Sequence, residues 1–262
     1  MFPLVRKDVP FEQRSDYPWR QFIVLFGAGL LGALAVIPYQ LALLPPDTSG
    51  KAPPLPLLIS LPFINSAVQV AVAVGIGLLA ARAVGLHAPL SEAIALRGDV
   101  RSAIRQLDVV RAALLGIAAT VLVLLLDATV FQSVSASFAQ SGVTPPSRVV
   151  GFLASFEGGI TEEILLRLLV MSVLVWLIMR VWPPSPTVFW IANAAAAVLF
   201  GLGHLPATAV LIPLTPLVVA RAIVLNGLLG VVAGWLYWRR GLESAMVAHF
   251  SGDVVLHVIL GG

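Results

Sequence analysis

The sequence predicts an all-α, polytopic transmembrane helix bundle of about seven spans, and three observations carry that prediction. Hydrophobic residues make up 59% of the 262 residues and charged residues 11%, giving a mean hydropathy of +0.97, which excludes an ordinary soluble domain. The apolar residues fall into long runs separated by short polar connections rich in Pro, Gly and Arg, and roughly 20 residues of helix cross the hydrocarbon core of a bilayer. One run, 149–181, nevertheless carries Glu157, Glu162, Glu163 and Arg167, although each ionised group near the bilayer centre costs on the order of 2.5–3.5 kcal/mol. Four such groups in one span mark a functional site inside the membrane.

Residues 1–19 form a polar arm with Arg6, Lys7, Glu12, Arg14 and Asp16, lacking the apolar core and cleavage site of a signal peptide. Tyr17-Pro18-Trp19-Arg20 anchors the start of span one at the interface. Span one is expected over 21–44, kinked rather than ended by Pro38, and Pro45-Pro46-Asp47-Thr48-Ser49-Gly50 is a turn. Span two, 57–84, has Asn65 and Gln69 as its only amides and stops at Arg82. The connection 85–108, with Ser91, Glu92, Arg97, Arg101, Ile104, Arg105 and Leu107, fits either a basic amphipathic helix on the membrane or a solvated linker. Span three, 109–131, contains Asp127, and 133–148 is a Ser/Gly/Pro loop closed by Pro145-Pro146. Span four, 149–181, is followed by Pro183-Pro184-Ser185-Pro186 and by span five, 187–204, expected to end at His204-Leu205-Pro206. A segment 206–216 is a re-entrant turn or short helix; span six is 217–238, ending in Trp235, Tyr237, Trp238, Arg239 and Arg240, and span seven is 242–260. The chain thus divides into 1–148, the arm and three spans, and 149–262, which holds the polar residues.

A net charge of +3 and a pI near 9.8 imply no nucleic-acid partner, because the basic residues sit in short loops where they set topology. Arg6, Lys7, Arg14, Arg20, then Arg82 to Arg111, then Arg180, Arg239 and Arg240 fall on one side, with Lys51 and Arg148 on the other. The positive-inside rule puts the amino terminus in the cytoplasm and, with an odd number of spans, the carboxyl terminus outside. The expected location is a bacterial cytoplasmic membrane, with the lipid bilayer as a partner. The absence of cysteine removes disulfides, thiolate nucleophiles and Cys-ligated metals.

Glu162 and Glu163 project about 100° apart on an α-helix, and Arg167 lies one turn beyond Glu163, within ion-pair reach. Such a pair holds Glu163 ionised, or serves only to orient the bundle. Glu162, less well compensated, suits a general base acting on water. His204 closes Phe200-Gly201-Leu202-Gly203-His204, where two glycines admit a neighbouring helix. His249 and Asp253 are four residues apart on one face, a spacing that converges on one metal ion or one water. His257, rotated by about 80° from His249 on ideal geometry, is a supporting residue or a satisfied polar group near the end of its span. Glu157 lines the mouth of the same cavity. Asp127, Asn193, Asn226 and Arg221 are expected to serve helix packing or the interface, and His87 to be solvated. Two carboxylates, an Arg, two His and an Asp on three late spans form an expensive set that a shared cavity explains. The expected boundaries put His204 at the outer end of span five and Glu162 at mid-span, depths that disagree unless helix five extends past Pro206 or the spans are shifted.

The trio Glu162-Glu163-x-x-x-Arg167, Phe200-x-x-x-His204 and His249-x-x-x-Asp253 resembles the motifs of the CPBP family, the CAAX-protease and bacteriocin-processing intramembrane proteases related to the Rce1 prenyl-protein endopeptidase. All three appear in the family's order, across about Phe152 to His257. The resemblance implies a catalytic membrane domain over 149–262, with the family's core in the last four spans. It implies an endopeptidase that cleaves a peptide or protein substrate reached from the membrane. Glu162 would activate a water, Glu163 held by Arg167 would support it, and His204, His249 and Asp253 would bind zinc or stabilise the oxyanion. Many relatives have Asn where this chain has Asp253, and the acid favours metal coordination. The family leaves open whether metal is essential, so Glu-plus-His catalysis without zinc stays an alternative. Two readings from other classes stand beside it: a proton-coupled transporter using the same acids and histidines as a relay, and a non-catalytic bacteriocin-immunity or binding protein on the same fold. A serine mechanism finds no Gly-x-Ser-x-Gly, and Ser251 shares no helical face with His249.

Overall fold

In lipid, a long apolar segment satisfies its own N–H and C=O groups only by coiling into a helix or closing a barrel. Among the described residues of this computed structural model, 18–44, 53–140 and 146–260, helices are the only regular structure. They are α1 (Trp19–Ala42), α2 (Leu55–Val84), α3 (Pro89–Leu96), α4 (Val100–Leu107), α5 (Val109–Thr129), α6 (Gln132–Ala139), α7 (148–178), α8 (Pro186–Leu211), α9 (Pro216–Arg240) and α10 (Leu242–Ile259). The expectations for the arm 1–17, the turn 45–50, Lys51 and Pro145 lie outside the described residues.

Six helices among the described residues are long and apolar enough to cross a membrane: α1, α2, α4 with α5, α8, α9 and α10. The seventh expected span, α7, is as long, but Glu157, Glu162, Glu163 and Arg167 set it apart from a purely apolar segment. It forms the axis of the bundle, packing against α1, α2, α8, α9 and α10. Its Ile164, Leu168, Met171 and Val175 are fully buried with Val70 and Val74 of α2, Val188 of α8 and Leu236 of α9.

Small residues let the backbones approach, as is usual where packing rather than water drives association. A Cβ on Gly77 would lie 2.7 Å from the Leu168 carbonyl oxygen, and one on Gly159 would lie 2.7 Å from Phe250 Cβ. Thr161 donates its hydroxyl to the Gly29 carbonyl at 3.1 Å, fastening α7 to α1.

Pro38 behaves as expected, and several other boundaries differ for local reasons. Pro38 does not end α1: the helix breaks at Val36 and resumes with Pro38 in the first turn, where the missing N–H costs nothing. The 85–108 connection is neither one helix nor a solvated linker. It forms α3 and α4, separated by Arg97 at φ 53° and ended by Asp108 at φ 51°. Asp99 caps α4 by accepting from Ser102 N at 3.0 Å, and Ala103 and Leu107 turn inward while Arg101 and Arg105 face out. Both helices are tied to the bundle: Ser91 N donates to Glu243 at 2.7 Å, and Ser244 Oγ donates to the Leu107 carbonyl at 2.8 Å.

The Ser/Gly/Pro loop expected over 133–148 begins instead as α6, because Val134 and Phe138 pack on Ile212 and Val218, overriding weak local propensity. Span five does not end at His204. The helix turns there and continues through Leu211, with Pro206 again in a first turn where it removes no bond. That continuation resolves the conflict of depths, since His204 lies within a 26-residue span rather than at its end.

Gly116 of α5 sits tightly on α10: a Cβ there would be 2.6 Å from the Ala248 carbonyl carbon and 2.8 Å from its Cα. At Gly27 the same atom would meet nothing within 4 Å. Gly116→Ala is expected to destabilise the protein by about 1–3 kcal/mol through overpacking, and Gly27→Ala to leave stability equal or slightly higher. Thermal unfolding in detergent separates the two; equal midpoints for both variants would contradict this packing.

Candidate active site

The central helix departs from α geometry where its polar residues lie. Residues 157–162 and 164–171 are wound as π-helix, closing i→i+5 bonds, flanked by α-helical turns at Arg148–Phe156 and Ser172–Ile178. Such wide turns concentrate at functional sites. They rotate successive side chains less than the 100° of an α-helix, so Glu157, Glu162 and Glu163 are drawn toward one side.

Glu163 and Arg167 form the expected ion pair, Nε to Oε2 at 3.2 Å, with side chains 1% and 0% exposed. The other carboxylate oxygen of Glu163 accepts from His249 Nδ1–H at 2.8 Å. One carboxylate therefore links a guanidinium on its own helix to an imidazole on α10. The guanidinium also lies 5.7 Å from the centre of the Phe200 ring, a cation–π distance. Phe200 in turn stands edge-on to both imidazoles, 4.9 Å from His204 and 5.5 Å from His249.

Fixing Nδ1 fixes the other nitrogen. His249 Nε2 points at Glu162 Oε2, 3.7 Å away, and at Asp253 Oδ1, 3.8 Å away. His204 bonds its Nδ1–H to the Phe200 carbonyl at 2.9 Å and turns Nε2 to Glu162 Oε1 at 3.9 Å. Glu162 is thus bracketed by two imidazoles, one facing each of its oxygens. These gaps exceed a direct hydrogen bond and suit a bridging water. The accessible members are Glu162 and His204, with side chains 22% and 38% exposed. Gly158 permits the approach of α7 to α10, since a Cβ there would collide with Asp253 Oδ2.

The structure therefore brings Glu162, Glu163, Arg167, His204, His249 and Asp253 into one cluster. Glu157 is half-buried in the same winding and within electrostatic reach of Glu162, Asp253 and His249. His257 stands apart, its ring edge-on to Tyr39 at 5.5 Å. Ser251 donates to the Val247 carbonyl of its own helix at 2.8 Å. Asn193 donates to the Val231 carbonyl at 3.0 Å and Asn226 to the Ala222 carbonyl at 2.9 Å, both serving packing. His87 is half-buried rather than fully solvated, its Nε2 2.8 Å from Gln106 Nε2. Sequence reasoning did not anticipate the bond from His249 to Glu163, for which spacing gives no signal. It also read Asp127 and Arg221 singly, although they form a bidentate pair at 2.7 and 2.9 Å; opposite charges in two apolar spans were the available signal.

Two imidazoles and carboxylates are donors of the right chemistry for zinc, but they do not close on one centre. Among the described residues no three His, Asp or Glu side chains are disposed to hold a metal ion. The Nδ1–H of each ring is engaged by a carboxylate or a carbonyl, which leaves both Nε2 atoms free, and Glu162 stands between them. His204, His249 and Asp253 are the residues that would hold a metal, with His249 Nε2 and Asp253 Oδ1 3.8 Å apart.

The chain is a polytopic helical membrane protein with a Glu/His/Asp cluster sunk in its core. Residues 144–255 match the type II CAAX prenyl endopeptidase Rce1-like family model. No curated protein and no solved structure matches the chain.

Removing one partner of a buried ion pair strands the other. Arg167→Ala is expected to destabilise the protein by about 3–5 kcal/mol, because Glu163 loses its guanidinium partner and keeps only the bond to His249. Denaturant unfolding in micelles measures it, and a loss below about 1 kcal/mol, as at an exposed pair, would show that the pair carries little weight.

Proposed function

We propose that this protein is an intramembrane endopeptidase that hydrolyses peptide bonds of membrane-associated peptides or proteins, with Glu162 as the general base. The observation that carries the reading is the position of Glu162, an accessible carboxylate between two imidazole Nε2 atoms at 3.7 and 3.9 Å. The match of residues 144–255 to a CAAX-endopeptidase family supports it.

In the proposed cycle a water lies against Glu162 and the Nε2 lone pair of His204. Glu162 takes a proton from that water as its oxygen attacks the scissile carbonyl, opening the C=O bond to an oxyanion. His249 carries both ring protons, donating Nδ1–H to Glu163 and Nε2–H to the oxyanion, with Asp253 beside it to balance the charge. Collapse of the tetrahedral intermediate breaks the C–N bond, and Glu162 returns its proton to the leaving amine. Arg167 acts through Glu163, keeping that carboxylate ionised and aimed at His249. No step passes through zinc.

Glu162→Gln is expected to lower cleavage of a membrane peptide by about 10²–10⁴-fold, the usual worth of a general base, with the unfolding midpoint retained. Cleavage equal to wild type would remove Glu162 from this role. Incubation of the purified protein with a chelator is expected to leave cleavage intact; loss on chelation, restored by added zinc, would return His204, His249 and Asp253 to the role of ligands.

A further inference from the structure

The helix that carries His204 is poorly anchored around the residue itself. No residue of the segment Leu205–Leu211 is buried, Val210 is 70% exposed, and Leu202 and Gly203 before the break are also exposed. Contacts with other helices flank the break on both sides. On the near side Gly201 lies on α9, where a Cβ would be 2.5 Å from Ile223 Cα and 2.8 Å from the Ala222 carbonyl oxygen. On the far side Ile212 is buried in a small cluster with Val134 of α6 and Val218 of α9.

Both contacts fall on one short stretch of α9, 218–223, at the start of that helix. Arg221 sits within it, and its fork grips Asp127 of α5 at 2.7 and 2.9 Å. The ring of Phe138 from α6 lies 5.0 Å from the guanidinium carbon. Planar bidentate pairs of this kind are the directional ones. Neither charge touches Glu162, His204 or His249 in any contact described above, so the pair has no part in the proton transfers.

We propose that the Asp127–Arg221 pair is a positioning device for the reaction: it locks the first turns of α9 to α5, and through Gly201 and Ile212 it sets where the helix break holds His204 against Glu162. The proposal rests on the reading of His204 as a site residue. Loss of the pair should then loosen the break locally, leave the far side of the bundle unchanged, and slow turnover without weakening substrate binding.

The chain has no cysteine, so spin labels can be introduced at chosen pairs. Labels at Ile191 and Val210, exposed on either side of the break and separated by about 28 Å of helix, report on it. Labels at Ile23 and Leu61 on α1 and α2, both exposed, serve as the control. In Asp127→Asn, which keeps the shape and removes the charge, the 191–210 distance distribution is expected to broaden while the 23–61 distribution stays unchanged. The rate constant kcat should fall at least tenfold at constant KM, and Asp127→Arg with Arg221→Asp should recover part of both. An unchanged 191–210 distribution would overturn the proposal, as would equal broadening of both pairs, which marks a merely structural bridge. Selective broadening with unchanged cleavage would support the coupling and count instead against His204 as a catalytic residue.

Discussion

The structure depends on one constraint: an arginine held at zero side-chain exposure in the middle of a membrane bundle must find its counter-charge within the protein. Arg167 finds it in Glu163, one turn away, and Glu163 has a second oxygen to spare for His249. From that three-member chain the geometry of the site follows. With Nδ1 of His249 engaged, Nε2 is turned into the space where Glu162 and Asp253 stand. The expense of burying the ion pair is recovered as orientation of an imidazole three helices further along the sequence.

The remainder of the fold lets this chain exist. Backbone must come close to backbone around α7, and glycines at 77, 158 and 159 supply the clearance that a side chain would deny. The π-wound turns of α7 gather its acidic residues onto adjacent faces, which a regular α-helix would spread. Helix α8 bends without ending, so the imidazole of His204 meets Glu162 within the span. Phe200, edge-on to both imidazoles and beneath the guanidinium, fills the space among them with a ring whose edge and face suit different neighbours.

Much of this was legible in the sequence because membrane chemistry is unforgiving. A Glu, an Arg or a His inside an apolar run stands out by its cost alone, and Glu162, Glu163, Arg167, His204, His249 and Asp253, which the fold brings into one cluster, stand out in that way, while the helical fold is read from the length of the apolar runs. What escaped had no such signature. The winding of α7 into π-turns has no marker in local composition, and the engagement of His249 with Glu163 spans 86 residues. Helix α6 forms because Val134 and Phe138 find Ile212 and Val218, a tertiary cause that local composition does not reveal. His204 was placed at a span end because His-Leu-Pro reads as a terminator, whereas a proline in a first turn can equally restart a helix. The pairing of Asp127 with Arg221 needed two separate clues to be joined.

The central claim is that Glu163 fixes the tautomer and direction of His249, and the most direct measurement is nitrogen NMR of the histidine-labelled protein in lipid bilayers. The chain contains four histidines, so single substitutions assign every signal. A protonated, strongly hydrogen-bonded Nδ1 is expected at His249, with a signal that shifts when Glu163 is replaced by Gln, while that of His257, packed on Tyr39, does not. A His249 signal indifferent to Glu163, or one with an unprotonated Nδ1, would contradict it.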